Sequence, residues 1–370
     1  MLRERLAIVR ERMRYLGIDC LALVPGTNLK YLTNVDFFQL ERPLIAFMPA
    51  EDAELAVLIP ELEAPAWESE VAIPSLLFPW SDKEGPEGAL RRLAKGIRPQ
   101  SLAAEYLRMR LLESSLIRSV WNDIHIAQAE AILTPVRQIK DGREIEYIQQ
   151  ANTIAETSLT QVIETITIGM TEKEIGRRLT ASLLMNGGET VPLEPLVQSG
   201  PNSARPHGRT TDRKLEPGDL LLIDYTTTVN GYFSDLTRTL FAGEDVPAKV
   251  VEVYGVVKAA NAAAHAAARP GASCQDVDRA ARKVIEDAGY GPFFLHRTGH
   301  GLGLDVHEHP VLIEGNDLAL EEGMVFTIEP GIYLEGWGGV RIEDNVVISG
   351  EGCRSFTQMT RDLTPIGLHH

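Results

Sequence analysis

Apolar positions in residues 1–16 recur at helical spacing, with Leu2, Leu6, Val9, Met13 and Leu16 on one stripe and Gly17 following where a left-handed cap is cheap. This predicts an amphipathic helix. The pattern then changes to short apolar runs, CLALV, PLIAFMP and ELAVLIP, each bounded by Pro, Gly, Asn or Asp, which predicts strands. Between about Glu61 and Gln138 strand-like and helix-like pieces alternate, with helices expected in RRLAKGIRP, EYLRMRLLESS and NDIHIAQAEAIL. Residues 1–134 therefore read as a small α/β domain with a mostly covered sheet.

The proline in LTPVRQIKDGRE marks a boundary between Thr134 and Asp141, after which Asp141 and Glu144 stand at capping-box spacing before a long helical pattern. A second domain, 135–370, begins there. Within it GMTEKEI and GASCQDV share a glycine, a hydroxyl residue two positions on, an acid three further and then a β-branched residue. They lie roughly 100 residues apart, and similar offsets link His207 with His300, Asp224 with Glu329 and Asp235 with Glu343. A duplicated helix-helix-strand-strand unit explains both.

Composition changes this picture mainly by exclusion. The 370 residues carry 36 Lys+Arg and 52 Asp+Glu, and the net charge of −16 disfavours nucleic acid and anionic membrane surfaces as partners. Cys20, Cys274 and Cys353 are too far apart for a zinc knuckle or a disulfide framework. The N-terminal stretch lacks the apolar core of a signal peptide, and no uncharged run has membrane-spanning length, so a cytoplasmic protein is expected. The nine histidines are unevenly placed, with His207, His296, His300, His307 and His309 in two short segments.

DLLLIDYTTTVNGYFSDLTRTLF contains two strands around Asn230-Gly231, a dipeptide that accepts the positive φ angles of a two-residue hairpin turn. Pairing Val229 with Tyr232 sets Thr226 opposite Asp235 and places Asp224 on the same face. Two acids so placed repel unless a cation lies between them or one faces solvent at a sheet edge. The edge explanation does not cover Glu329, expected at the end of the apolar strand in MVFTIEPGIY, or Glu343, expected within the strand GGVRIEDNVVIS. His300 lies in the Gly-rich HRTGHGLGLDVHEHP, where backbone can approach a site closely. Two Asp, two Glu and one His suit a pair of divalent ions such as Mn²⁺, Co²⁺ or Zn²⁺, about 3.5–4 Å apart and sharing a bridging water. Hydrolysis is the chemistry such a set serves.

The ordered segments GPNSARPHG, LLIDYTTTVNGYFSDLTRT, HRTGHGLGLDVHEHP, FTIEPGIY and GVRIED resemble the pita-bread metallopeptidases, the family of methionine aminopeptidase, aminopeptidase P and prolidase. The N-terminal stretch and the junction RQIKDGREIEYIQQA resemble the prolidase and aminopeptidase P branch, which implies an N-terminal creatinase-like α/β domain before a pseudo-two-fold α+β catalytic domain. The resemblance implies Asp224, Asp235, His300, Glu329 and Glu343 as ligands of two divalent ions, Mn²⁺ first among them, with Asp235 and Glu343 bridging and Glu329 taking the proton of the bridging water. It further implies His207 near the scissile amide, His307 stabilising the tetrahedral intermediate, His296 in the substrate pocket and Arg341 binding a carboxylate or supporting the ligands. His265, in an Ala-rich helix, is expected to be structural, and His309 has no assigned role.

The implied reaction is cleavage of the amide before proline, releasing the N-terminal residue of an Xaa-Pro dipeptide or longer peptide. A creatinase-like hydrolase of a small C–N substrate and a peptide-binding pseudoenzyme are the alternatives, and five intact ligands count against both. A homodimer is the family expectation. The run Tyr225-Thr226-Thr227-Thr228 departs from common relatives, where a small residue is frequent beside the first aspartate, and bears on substrate selectivity.

Overall fold

The computed structural model describes residues 2–367, which leaves His369 and His370 outside it. The chain forms two compact units, one up to Arg137 and one from Gln138, so the division falls in the last turn of a helix within the Thr134–Asp141 stretch.

The first unit contains α1 (Leu2–Tyr15), β1 (Cys20–Leu23), α2 (Thr27–Thr33), β2 (Ile45–Pro49), β3 (Leu55–Pro60), α3 (Ala64–Glu70), β4 (Ser75–Trp80), α4 (Pro86–Gly96), β5 (Ser101–Ala104), α5 (Leu111–Val120), β6 (His125–Gln128) and α6 (Glu130–Gln138). The strands form one mixed sheet in the order β4-β3-β2-β1-β5-β6. Its centre is buried on both faces, which is why β1 and β2 read as unbroken apolar runs.

Two helix expectations here are corrected. EYLRMRLLESS is helical only from Leu111, because the Glu105 carboxylate is buried against Val24 N and Asn28 Nδ2, both 2.8 Å away, and holds its segment in a turn. NDIHIAQAEAIL begins with β6 instead, paired in parallel with β5 from Ser101↔His125 to Ala104↔Gln128, so sheet pairing overrides a helical pattern. Pro135 does not end α6. It lacks the N–H that would bond to the Ala131 carbonyl, and Arg12 Nη2 donates to that carbonyl at 3.2 Å.

The second unit opens with α7 (Gly142–Ile163), capped by the Asp141 side chain, which accepts from Arg143 N and Glu144 N. It continues with α8 (Glu172–Met185), β7 (Leu196–Ser199), β8 (Leu220–Val229), β9 (Tyr232–Ala242), α9 (Ala248–Ala267), α10 (Cys274–Asp287), β10 (Gly299–Gly301), β11 (Glu308–Leu312), β12 (Val325–Ile328), β13 (Gly331–Leu334), β14 (Gly338–Arg341), β15 (Asp344–Ser349), β16 (Gly352–Ser355) and β17 (Pro365–Ile366). The strands form sheets β17-β9-β8-β7, β11-β10-β12-β15-β16 and β13-β14.

The duplication is visible in the backbone. Thr171 with Glu174, and Ser273 with Asp276, form capping boxes at the starts of α8 and α10. Just before the first, Gly169 N donates to Leu215 O and Leu215 N to Met170 O, both at 2.8 Å; before the second, Gly271 N and Leu320 O, and Leu320 N and Ala272 O, repeat that pair at the same distance. Gly218 and Gly323 then take the same left-handed turn, with φ of 88° and 87°, into β8 and β12. Each half packs α-helices behind its sheet in its own core, one around Leu159, Leu179 and Ile223, the other around Val257, Ile285 and Phe326.

Candidate metal centre

The β8–β9 hairpin has the register its turn predicts. Asn230 and Gly231 both have positive φ, Val229 pairs with Tyr232, Thr226 with Asp235 and Asp224 with Thr237. Glu329 directly follows β12 as expected. Glu343 does not lie within a strand: it occupies the break between β14 and β15, where its N–H donates to Thr237 O at 3.1 Å and so joins β9. Two residues on, Asn345 clasps the backbone of Asp235, accepting from its N–H at 2.9 Å and donating to its carbonyl at 2.5 Å. These bonds bring an acid from each half together. His300 reaches the same point because Gly299 and Gly301 leave no Cβ to collide with the carbonyls of Thr327 and His309.

Ligand atoms of Asp235, His300 and Glu343 all lie within 4.8 Å of one another. His300 Nε2 is 3.6 Å from Asp235 Oδ2 and 3.4 Å from Glu329 Oε1, while its Nδ1 lies 3.0 Å from Gly301 O. A carbonyl only accepts, so Nδ1 carries the proton and the Nε2 lone pair faces the carboxylates. Burial, with His307 beside it, pulls His300 down to about 3. Burial and the crowding of like charges push Asp235 and Glu343 well above the usual carboxylate range, and burial pushes Glu329 up to about 7. Four groups that all present lone pairs, with no cation among them, make a donor set that fits a divalent metal.

Asp224 stands slightly apart. Its Oδ2 accepts from Arg341 Nη2 at 2.5 Å, while Arg341 Nε donates to Thr237 Oγ1 at 3.0 Å and Thr237 Oγ1 donates to Glu343 Oε2 at 2.7 Å. Burial works against the Arg341 charge, and Tyr333, Asp224, Glu329 and Glu343 more than offset it. Arg341 therefore ties Asp224 to Glu343 through Thr237.

The match to known families follows these residues. Residues 146–350 match metallopeptidase family M24, and residues 5–139 match the creatinase/prolidase N-terminal domain. The chain belongs to metallopeptidase family M24. An Xaa-Pro dipeptidase of Pyrococcus furiosus is 34% identical over 363 residues, covering 98% of this chain and 100% of that one. Among solved structures, a recombinant prolidase from Thermococcus sibiricus superposes with a TM-score of 0.93 at 33% identity, covering 99% of each chain. Dipeptidase PepE from Mycobacterium ulcerans gives 0.90 at 32% identity, covering 99% of this chain and 98% of that one. The fold of the second unit is the pita-bread fold of these metallopeptidases, preceded in the sequence by a creatinase-like N-terminal domain. No helix among the described residues is long and apolar enough to cross a membrane.

In this M24 metallopeptidase the acids form the floor of a cavity of about 630 Å³ that His207, His296, His307 and Arg341 also line. The His307 ring stands edge-on to His300, 4.3 Å between centroids, and burial followed by Arg297 and His207 lowers its basicity. His296 is fixed at both nitrogens: Nδ1–H donates to Arg297 O and Nε2 accepts from Tyr333 OH, each at 2.8 Å, while Tyr333 OH accepts from Arg341 Nη1 at 2.8 Å. Burial, with Arg341 nearby, brings His296 down to about 4 and keeps it neutral.

Thr237, Tyr333 and the cavity-lining Arg297 are the site residues the sequence reading missed. Thr237 had a signal, since it is two residues from Asp235 and so shares its face. Tyr333 had none, because it reaches the site across the Pro330-Gly331 bend. His265 lies elsewhere, 3.2 Å from Asp344, and His309 contributes its carbonyl beside Gly301.

Proposed function

We propose that this chain hydrolyses Xaa-Pro dipeptides with a pair of divalent ions, Mn²⁺ or alternatively Co²⁺ or Zn²⁺, held by Asp224, Asp235, His300, Glu329 and Glu343. The observation that carries this reading is the convergence of two buried acids, Asp235 and Glu343, and the half-buried Glu329 on one neutral imidazole. Such ions supply Lewis acidity toward the scissile carbonyl and activation of a water nucleophile.

The chain's own groups do the rest. Glu329 accepts the proton of the attacking water and returns it to the proline nitrogen, which leaves as a secondary amine and cannot leave unprotonated. His307 and His207, at the cavity wall, supply donors to the oxygen that gains charge. Tyr333 and Arg341 hold His296 in one tautomer at the substrate's side.

Dipeptide length is supported by the names of relatives and by Arg297. This cavity-lining guanidinium has no ion pair among the described residues, and a short substrate would present its terminal carboxylate to it. The amide before proline has no N–H, so recognition at that bond falls to groups at the two ends of the substrate.

The test compares alanyl-proline, an alanyl-prolyl tripeptide and a dipeptide without proline, using protein loaded with Mn²⁺. Alanyl-proline should be cleaved fastest, and chelation should abolish cleavage until metal is restored. Protein that takes up no divalent ion, or that cleaves only the amide lacking proline, would overturn the reading.

A further inference from the structure

His207 lines the cavity from an exposed turn in the connection between β7 and β8. Among the described residues no hydrogen bond holds its ring, so the ring goes where its backbone takes it. That backbone is a loop, residues 199–211, whose two ends close on one side chain. Glu172, the first residue of α8 and 1% exposed, accepts at Oε1 from Ser199 N, Ser199 Oγ and Asn202 Nδ2 at 2.7, 2.8 and 3.0 Å. Its Oε2 accepts from Thr211 N and Thr211 Oγ1 at 2.8 and 2.7 Å. The helix backbone adds to the clasp, with Glu172 N donating to Arg213 O at 3.0 Å and Lys173 N to Thr211 O at 3.2 Å. At the tip, Gly208 N donates to Arg205 O at 3.0 Å and closes the turn that contains His207.

A buried carboxylate is costly unless its oxygens are satisfied, and here donors from this one loop satisfy both. The helix does not require the acid, because Thr171 and Glu174 already form its capping box. The second half repeats the device with other residues: Asp278 of α10, 0% exposed, accepts from Thr298 N at 3.2 Å and Thr298 Oγ1 at 2.7 Å, midway between His296 and His300. An acid on the second helix of each half thus roots a segment that carries site histidines.

We propose that Glu172 is a positioning residue for the reaction, setting His207 against the substrate by clasping both ends of the loop that bears it. The inference rests on the functional reading above, which makes His207 a donor to the oxygen that gains charge. Such a donor works only at hydrogen-bond distance, and a displacement of about 1 Å far from the chemistry can cost on the order of a hundredfold in rate. Glu172→Gln keeps the shape of the side chain but turns an NH₂ group toward the donors of Ser199 or Thr211, which parts one end of the loop from the helix.

The test asks whether the acid acts through that ring. Metal-loaded wild type, Glu172→Gln, His207→Ala and the double variant are compared by kcat and KM for alanyl-proline and by metal content. Glu172→Gln should lower kcat/KM about tenfold, chiefly through kcat, with metal content unchanged. In the His207→Ala background the same substitution should change kcat/KM by less than about twofold, because the group it positions is gone. Thr211→Val removes one donor from the same carboxylate and should show the same dependence on His207 should the Glu172→Gln protein not fold; Thr211→Ser should recover most of the loss.

An equal loss with and without His207 would overturn the assignment, since the acid would then serve the fold alone. So would wild-type kcat/KM in both Glu172→Gln and Thr211→Val, a loss carried wholly by KM, or a loss of bound metal. Wild-type activity in His207→Ala, or loaded wild-type protein that cleaves no Xaa-Pro dipeptide, would sink the functional reading instead, and either failure shows before Glu172 is changed.

Discussion

Glu343 and Asp344 are adjacent acids, 2% and 0% exposed, in opposite electrostatic surroundings. Around Glu343 lie Asp235, Glu329 and Asp224, and its carboxyl is driven well above the usual range by burial and then by those acids. Around Asp344, Arg238 Nη2, Asn261 Nδ2, His265 Nε2 and Arg361 Nε donate at 2.9, 3.0, 3.2 and 2.6 Å. Burial opposes its charge too, but Arg238, His265 and Arg361 prevail and hold its carboxyl below the usual range. Depth therefore does not set the protonation of a buried acid; the sign of its neighbours does. One side of this backbone step is a finished ion-pair network. The other is a set of acids whose mutual repulsion one guanidinium, Arg341, offsets only in part, and that incomplete compensation distinguishes a site from a piece of core.

The largest expected effect breaks the incompletely compensated side. Glu343→Ala should reduce metal-dependent hydrolysis by more than the ~10–100-fold typical of residues that only support ligands, with an unchanged far-ultraviolet circular dichroism spectrum. Activity within about tenfold of wild type would show that Glu343 is no ligand.

Next comes the compensated side. Asp344→Asn leaves Arg238 buried without its anion and should cost about 3–5 kcal/mol in urea denaturation. In metal-free protein Glu343→Gln should instead leave the midpoint unchanged or raise it, since it relieves repulsion. Movement of both midpoints in one direction would dissolve the contrast.

A smaller effect sharpens the same contrast through pH. In metal-free protein the raised carboxyls of Asp235, Glu343 and Glu329, the last at about 7, bind protons more tightly folded than unfolded. Stability should therefore fall as pH rises from about 4.5 through about 7. Asp344 acts oppositely: its contribution is present above its ordinary range and is lost only as pH falls toward its lowered folded value. Calorimetry of chelated protein at about pH 5, 6, 7 and 8 checks the first trend, and metal should raise the melting temperature more at the upper end because protons compete for its ligands. The smallest effect is Tyr333→Phe, which removes the hydroxyl between Arg341 and His296. We expect about a tenfold loss in kcat/KM with metal content unchanged, measured on alanyl-proline.

Much of this arrangement was legible in the residues. Asn230-Gly231 fixes a hairpin turn, the turn fixes a register, and the register puts Asp224, Thr226 and Asp235 on one face, because side-chain direction in a strand has period two. The capping boxes at Thr171 and Ser273 revealed the duplication for a similarly local reason. What escaped depends on partners distant in the chain. Nothing near Glu105 says that Val24 and Asn28 will claim its carboxylate, and nothing near Asp344 says that Arg238 and Arg361 will pair with it directly while Glu343 beside it meets a guanidinium only through Thr237. The helical pattern at His125 lost to an available sheet edge, a competition that periodicity does not register.

The join at Thr237–Glu343 and Asp235–Asn345 has a mechanical consequence. Each duplicated half has its own core, and the acids stand where the halves meet, so a cation held by them would act as a rivet between two bodies that share one seam. Ligand bound only by the assembled form adds about 2.7 kcal/mol of resistance to opening at one hundred times its dissociation constant. Metal supply would then govern how long the seam stays shut as well as how fast the enzyme turns over, and a protease probing a starved population should find the seam before either core.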